Sequence, residues 1–169
     1  MFTESTPVVI CPYGDILKHF GPATEASAEM LVEHLQTNTL APIFLYQATH
    51  ALLTASSEPK FFIISSNLGS IGNMKQLPPP MIAYGMSKAA VNYAAVKFHN
   101  EDSKIIVVPV QPGWVQTNMG QRAADFAGVK QVPTTVEGSV AGLMKVFDQA
   151  TKGETSGTFP TFDGGVVSW

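Results

Sequence analysis

Apolar residues fall into short β-branched and aromatic runs bounded by small polar residues, and between the runs they recur at helical spacing. Lys60-Phe61-Phe62-Ile63-Ile64-Ser65-Ser66 predicts a buried strand with Ser66 at its C-terminal end. Lys104 to Gln111 predicts a second, ending at Pro112-Gly113. Val8-Val9-Ile10 is a very short strand, and Gly157 to Phe162 a last one, closed by Gly164-Gly165. Cys11 to Ala23 and Asn67 to Ala83 carry the Gly and Pro punctuation of loops.

Ser27 is placed to cap a helix, with Glu29 in its first turn and Met30, Leu31, His34 and Leu35 at helical spacing. The next helix runs from about Asn38 to Ala55. Pro42 lies early in it and withholds the N–H that the Asn38 carbonyl takes in a regular helix. Either that carbonyl finds water or a side chain, or the helix starts near Ala41 with Pro42 in its first turn. A further helix covers Tyr84 to His99, with Ala89, Ala90, Tyr93, Ala94 and Val96 giving a small-residue face. Trp114 to Pro133 is irregular or weakly helical. Val136 to Ala150 is amphipathic, with Val140, Leu143, Met144 and Phe147 inward.

Strands alternate with helices throughout. The expected fold is therefore α/β, a Rossmann-like three-layer arrangement with a parallel sheet of about four strands and helices on both faces. In such sheets ligands sit beyond the C-terminal strand ends. Ser66 and Pro112-Gly113 fall at such ends, and Tyr84 opens the helix between them, so three segments converge on one mouth.

The chain's 169 residues make one domain, 1–169, with 14% charged residues and a net charge of −3. That charge gives no sign of nucleic-acid binding. Cys11 is the only cysteine, which suits a reducing compartment. The opening Met1 to Thr6 shows no basic region followed by an apolar run, and no apolar stretch reaches a membrane span. The expectation is a cytoplasmic protein with a small-molecule substrate, no nucleic acid and no membrane. The four histidines, His19, His34, His50 and His99, show no metal-ligand spacing, so no metal is expected.

The candidate chemistry centres on Tyr84-Gly85-Met86-Ser87-Lys88. Residues four apart on a helix share a face, and an ammonium near a phenol favours the phenolate, which makes a general acid/base. Ser65 and Ser66 lack a Gly-x-Ser-x-Gly elbow, which argues against a hydrolase nucleophile. Met74, Pro78 to Met81, Trp114, Met119 and Phe126 lie on the loops flanking the mouth, where they either line a bulky apolar pocket or cover core.

Taken in order, Gln36-Thr-Asn38-Thr-Leu-Ala-Pro42, Ile64-Ser65-Ser66 with Gly69-Ser70-Ile71-Gly72, Tyr84-Gly-Met-Ser-Lys88-Ala-Ala and Pro112-Gly113-Trp114-Val115-Gln116-Thr117 resemble the short-chain dehydrogenase/reductase family. Ser156-Gly-Thr-Phe159 and Asp163-Gly164-Gly165 fit as well. Within the family the resemblance is to the fungal norsolorinic-acid-ketoreductase-like branch, and it covers Val8 to Trp169. It implies a ketoreductase of a secondary-metabolite-like carbonyl using NADP(H) or NAD(H). Tyr84 then donates or removes the proton. Lys88 favours the phenolate and binds the nicotinamide ribose. Ser66 holds the substrate oxygen. The Asn38 carbonyl carries a water that relays protons to Lys88. Pro112, Gly113, Val115 and Thr117 shape the nicotinamide pocket, and Trp114, Met119 and Met74 belong to the substrate side.

Two family features are missing from the sequence. No glycine-rich turn after a first strand receives a pyrophosphate, and no residue after a second strand reads the adenosine ribose. The Asn-Ala-Gly that follows the family's fourth strand is replaced by Cys11-Pro12-Tyr13-Gly14. The chain therefore reads as the catalytic half of the fold, truncated at its N-terminal side. Its first strand becomes a sheet edge that a homo-oligomer would cover. Two alternatives stand beside the reductase. One is an isomerase, cyclase or dehydratase that works without a cofactor. The other is a non-catalytic remnant that pairs with a partner subunit.

Overall fold

Three runs rich in β-branched and aromatic residues form the sheet of the computed structural model: β1 (Val8–Cys11), β2 (Lys60–Ile64) and β3 (Ile106–Val110). They are parallel, in the order β1-β2-β3. The structure describes residues 8–11, 17–18, 20–76 and 81–169. Met1 to Thr6, Gly14, His19 and Pro78 to Pro80, on which expectations were placed above, lie outside the described residues. In register, Phe61 sits beside Val9 and Val107, and Phe62 beside Ile10 and Val108.

Strand alternation sends these residues to two opposite cores. Phe61, Ile63, Ile105 and Val107 pack with Tyr46, Leu53, Val91 and Ala95. Phe62, Ile106, Val108 and Val110 pack with Leu143, Phe147 and Ala150. The first core is covered by α2 (Ala41–Thr54) and α3 (Ile82–Glu101), the second by α5 (Val136–Gln149). In α5, Leu143 and Phe147 point inward, but Val140 and Met144 are 52% and 47% exposed, which corrects the inward face expected for them. The buried stripe is narrower than the apolar pattern.

The expected fourth strand lies beside β3 but pairs with it through one bridge, Gln111 with Thr161. The reason is proline. Ile106 donates to Pro59 and Ser65 donates to Val110, so the even positions of β3 face β2. Val107 and Gln111 face outward, where they meet Gly157, Pro160 and Phe162. Pro109 lies between them on that outward side. Its missing N–H leaves the β2–β3 ladder intact but interrupts any ladder beyond it, and Pro160 opposite also lacks a donor.

The two readings of Pro42 are decided by the backbone. Helix α1 (Ala28–Leu35), capped by Ser27 on the Met30 N–H, runs without a break through a π-helical turn, Gln36–Leu40, into α2. Leu35, Leu40 and Ala41 all keep right-handed helical angles, and the Ala41 N–H reaches five residues back to the Gln36 carbonyl. Regular α-helix begins at Ala41 with Pro42 in its first turn, as the second reading has it, but the chain enters it from α1 without leaving helical angles. The wide turn before it accommodates the proline.

At the N-terminal edge of the sheet, lysines close helix ends. Lys60 Nζ donates to the carbonyls of Phe147 (3.1 Å) and Asp148 (3.2 Å) in the last turn of α5. Lys104 Nζ donates to Thr54 at the end of α2 (2.7 Å). Lys152 Nζ donates to the carbonyls of His99, in the last turn of α3, and of Asp102 and Ile105 beyond it, at 2.9, 2.6 and 3.0 Å. Cations there complement the helix dipoles and the unpaired carbonyls. Burial, opposed by Asp102, holds the Lys152 ammonium below its usual pKa.

Candidate active site

Tyr84 and Lys88 lie one turn apart near the start of α3, 6% and 0% exposed, with Lys88 Nζ 5.5 Å from the centre of the Tyr84 ring. That Nζ also donates to the carbonyl of Ile64, the last residue of β2, at 2.9 Å. One turn further along α3, Asn92 Oδ1 accepts from Ser65 Oγ at 2.5 Å. Two successive turns of the helix are thus fastened to the end of the strand that carries Ser66.

Ser66 Oγ accepts the Leu68 N–H at 3.2 Å and caps the short turn Asn67–Gly69. A hydroxyl that accepts through a lone pair keeps its own proton to give, and no acceptor among the described residues takes it. The turn lies directly on α3. A Cβ on Gly69 would sit 2.6 Å from the Lys88 carbonyl carbon, and one on Gly85 would sit 2.9 Å from the Leu68 oxygen. Two glycines therefore set how close Ser66 comes to the Tyr84–Lys88 turn.

The π-helical turn reaches the same place from the other side. Asn38 Nδ2 donates to Ser87 Oγ at 2.9 Å, and Thr39 Oγ1 donates to the Ser87 carbonyl at 2.8 Å. Ser87 Oγ in turn donates to the Tyr84 carbonyl at 2.7 Å. Asn38 thus reaches the Tyr84 turn through Ser87.

Beyond β3 the chain turns at Gly113, whose φ of +88° suits glycine and whose missing Cβ makes room for the Phe162 ring. Ser139 Oγ holds the Pro112 carbonyl at 2.6 Å. The stretch expected to be irregular then forms α4 (Asn118–Ala127), between a Thr117 cap on the Gly120 N–H and Gly128 in the left-handed region. Trp114 Nε1 donates to the Gly120 carbonyl at 2.9 Å and ties this helix over the strand end.

These segments enclose a cavity of about 670 Å³ with a mostly apolar lining. Ser66, Tyr84, Pro112, Gly113, Val115 and Thr117 line it, as do Trp114, Met119, Met81 and Phe126. Met74 does not: it is 61% exposed on a short 3-10 turn, since the loop after Gly72 runs outward over the surface. Lys88 and Asn38 stand behind the wall rather than in it. The sequence reading missed Leu17, Leu68, Gln111, Ala123 and Val129. The paired signals of Thr117 and Gly128 mark α4 and could have supplied Ala123. Among the described residues no three His, Cys, Asp or Glu gather to hold a metal, and no helix is long and apolar enough to cross a membrane. His34 is fully buried, with Nδ1 on the Met30 carbonyl and Nε2 on the Lys18 N–H.

Comparison with known proteins places the sequence and the fold in a family. A family model for short chain dehydrogenase fits residues 14–127. The chain is 42% identical over 154 residues to the norsolorinic acid ketoreductase of Aspergillus parasiticus, covering 89% of this chain and 57% of that protein. It is 37% identical over 163 residues to norsolorinic acid ketoreductase stcE of Emericella nidulans, covering 95% and 62%. Among solved structures, the NADPH-bound carbonyl reductase from chicken fatty liver superposes with a TM-score of 0.79 at 26% identity, over 95% of this chain and 64% of that one. The carbonyl reductase Sniffer of D. melanogaster gives 0.78 at 28% identity, over 91% and 63%. The chain thus spans 57 to 62% of the length of these two fungal relatives. With both the family model and the fold in agreement, the chain belongs to the short chain dehydrogenase family.

Proposed function

We propose that the cavity interconverts a carbonyl and an alcohol on a small apolar substrate of secondary-metabolite type, with NADP(H) or NAD(H) as the redox partner. The convergence of Ser66, Tyr84, Gly113, Val115 and Thr117 on one cavity, with the Lys88 ammonium beside the Tyr84 ring, carries this reading. The relatives named ketoreductases and the NADPH-bound neighbour support it.

The residues present fit the nicotinamide end of such a cofactor. Tyr84 and Lys88 would hold the ribose, and Pro112, Gly113, Val115 and Thr117 would hold the ring and its carboxamide. No glycine-rich turn joins a strand to a helix among the described residues, so the adenosine end has no such cradle there. When bound, the reduced nicotinamide supplies the hydride.

The protein's own residues do the rest. Ser66 donates a hydrogen bond to the substrate oxygen and keeps its proton, since its lone pair is already held by the Leu68 N–H. Tyr84 delivers the proton that completes the alcohol, or removes it in the reverse direction. The positive charge of Lys88 favours the phenolate that remains. Asn38 positions this turn through Ser87. The water on its carbonyl that the family resemblance implies, relaying protons to Lys88, belongs to the same proposal. The apolar lining from Met81, Trp114, Met119 and Phe126 suits a flat hydrophobic body and excludes water from the reacting bond.

Titration with NADPH and NADH by calorimetry tests this. Saturable binding is expected. If neither binds, the oxidoreductase reading falls and proton transfer without a cofactor takes its place. In that case Tyr84→Phe decides: turnover that survives it unaltered excludes a Tyr84 acid/base. The remnant that pairs with a partner subunit remains if no turnover exists at all.

A homo-oligomer belongs to the same reading. Strand β1 is a sheet edge among the described strands, with Val8 46% and Ile10 39% exposed. Sedimentation as a monomer at micromolar concentration would count against it. With Cys11 as its only cysteine the chain can form no internal disulfide, which suits a cytoplasmic setting.

A further inference from the structure

Gln111 ends the β3 run at the cavity mouth and is 9% exposed. Its backbone is fixed on both sides: the N–H donates to Pro160 and the carbonyl accepts from Phe162, each at 2.9 Å. Its side chain is fixed as well. Oε1 accepts the N–H of Asn67, the residue after Ser66, at 3.0 Å. A backbone N–H can only donate, so the amide must turn its oxygen to Asn67, and the orientation of the group is set by chemistry. Nε2 is thereby turned away from Asn67, and no acceptor among the described residues takes its two hydrogens. It is not sealed off either. Asn92 Nδ2 is the side-chain polar atom that is both buried and unpartnered among the described residues, and Gln111 lines the cavity.

We infer that Gln111 is a specificity residue, an oriented NH₂ donor that takes a second acceptor oxygen on the substrate while Ser66 takes the reacting carbonyl. The inference rests on the reading of the cavity as a carbonyl site and adds a substrate class to it: apolar carbonyl compounds with a further ether or carbonyl oxygen. The link to Asn67 keeps the two donors in step, since the same short turn carries Ser66 and orients Gln111. An unpaired donor in an apolar cavity favours ligands that satisfy it and disfavours those that bury it unpaired.

The test measures binding by NMR titration of the full chain with acetophenone and its ortho-, meta- and para-methoxy derivatives, whose added oxygen only accepts. One methoxy isomer is expected to bind roughly fivefold tighter than the parent, the size of one neutral hydrogen bond. Gln111→Glu, assayed with its carboxylate ionised, keeps an acceptor for the Asn67 N–H but loses both donors. Gln111→Met keeps the shape and loses both functions. Each should bring all four ketones to within about twofold of one another. The inference is overturned if the wild type binds none of them or shows no preferred isomer. It is equally overturned if the preference survives in both variants, or if the variants shift NADPH affinity and leave the ketone preference alone. A preference that depends on Gln111 in a protein without turnover leaves the inference standing and removes the oxidoreductase reading.

Discussion

The two ends of the sheet handle polar groups in opposite ways. At the N-terminal edge, Lys60, Lys104 and Lys152 each lie across the end of a helix with the ammonium on main-chain carbonyls. Asp102 takes the N–H groups of Lys104 and Ile105 and the imidazole of His50. At the C-terminal edge, Ser66 and Gln111 each accept one N–H and keep hydrogens to give. The first arrangement holds elements together, while the second leaves donors at the cavity wall, as the proposed site requires. Leftover hydrogen-bonding capacity thus points to the proposed site only where it meets a cavity, as at Ser66 and Gln111 and not at Asn92. Tyrosine makes the same point. Tyr46, stacked on Phe98 at 4.0 Å in the core, has its hydroxyl pushed up to about 12 by burial with Asp102 and Glu101 nearby, which unfits it for proton transfer near neutrality.

Substitutions at each end should separate the two roles. Tyr84→Phe is expected to lower turnover roughly a hundred- to ten-thousandfold while thermal unfolding stays close to the wild type. Gly69→Ala should do both kinds of damage. Its Cβ meets the Lys88 backbone, so a loss of about 1–3 kcal/mol in denaturant unfolding should accompany weaker turnover as Ser66 shifts. Lys152→Ala should cost a similar amount, about 1–3 kcal/mol, by stranding three carbonyls, with turnover per folded molecule unchanged. A turnover defect in Lys152→Ala as large as that of Gly69→Ala would break the contrast between the two ends.

The smallest expected effect is on pH dependence. Burial and the neighbouring Lys152 hold the His99 pKa below its usual 6.5. Folding disfavours its cation, so stability is fully present above 6.5 and falls as pH drops below it. Burial alone would raise Asp102, but the Ile105 and Lys104 N–H groups and His50 outweigh it and hold the carboxyl below 3.8. Its contribution is present above 3.8 and is lost as pH falls through the lower folded value. Melting temperature should therefore decline in two steps on acidification, with His99→Gln removing the first and Asp102→Asn the second. A melting curve flat from pH 7 to 4 would contradict the His99 assignment.

Much of this was legible in the sequence where a local signal coincides with a tertiary one. Phe61 to Ile64 and Ile106 to Val110 are buried on both faces and read as continuous apolar runs. Ser27 announces α1, and the motif residues Ser66, Tyr84 and Gly113 fall where parallel strand ends must converge. Where periodicity misled, the burial was one-sided: α4 carries Gln121, Arg122 and Asp125 on its exposed side and so looks irregular, although Thr117 and Gly128 bracket it. Met74 was placed by its loop rather than by its turn. Gln111 escaped notice because its orientation depends on a single N–H 44 residues away, which no spacing rule encodes.

The wide turn at Gln36–Leu40 has a consequence for the phase of the helix that contains it. A regular helix advances about 100° per residue, so one surplus residue rotates everything downstream by about that angle. Asn38 and Thr39 can then look toward α3 while Tyr46 and Leu53 look toward the sheet. Deleting any one residue between 36 and 40 would restore an ordinary spiral and, by the same rotation, swing either the sheet-facing side chains or the Ser87 contacts to the wrong azimuth. Length at this place is thus under tighter constraint than composition: a point substitution trims one contact, whereas a single-codon deletion misaligns the whole of one flank.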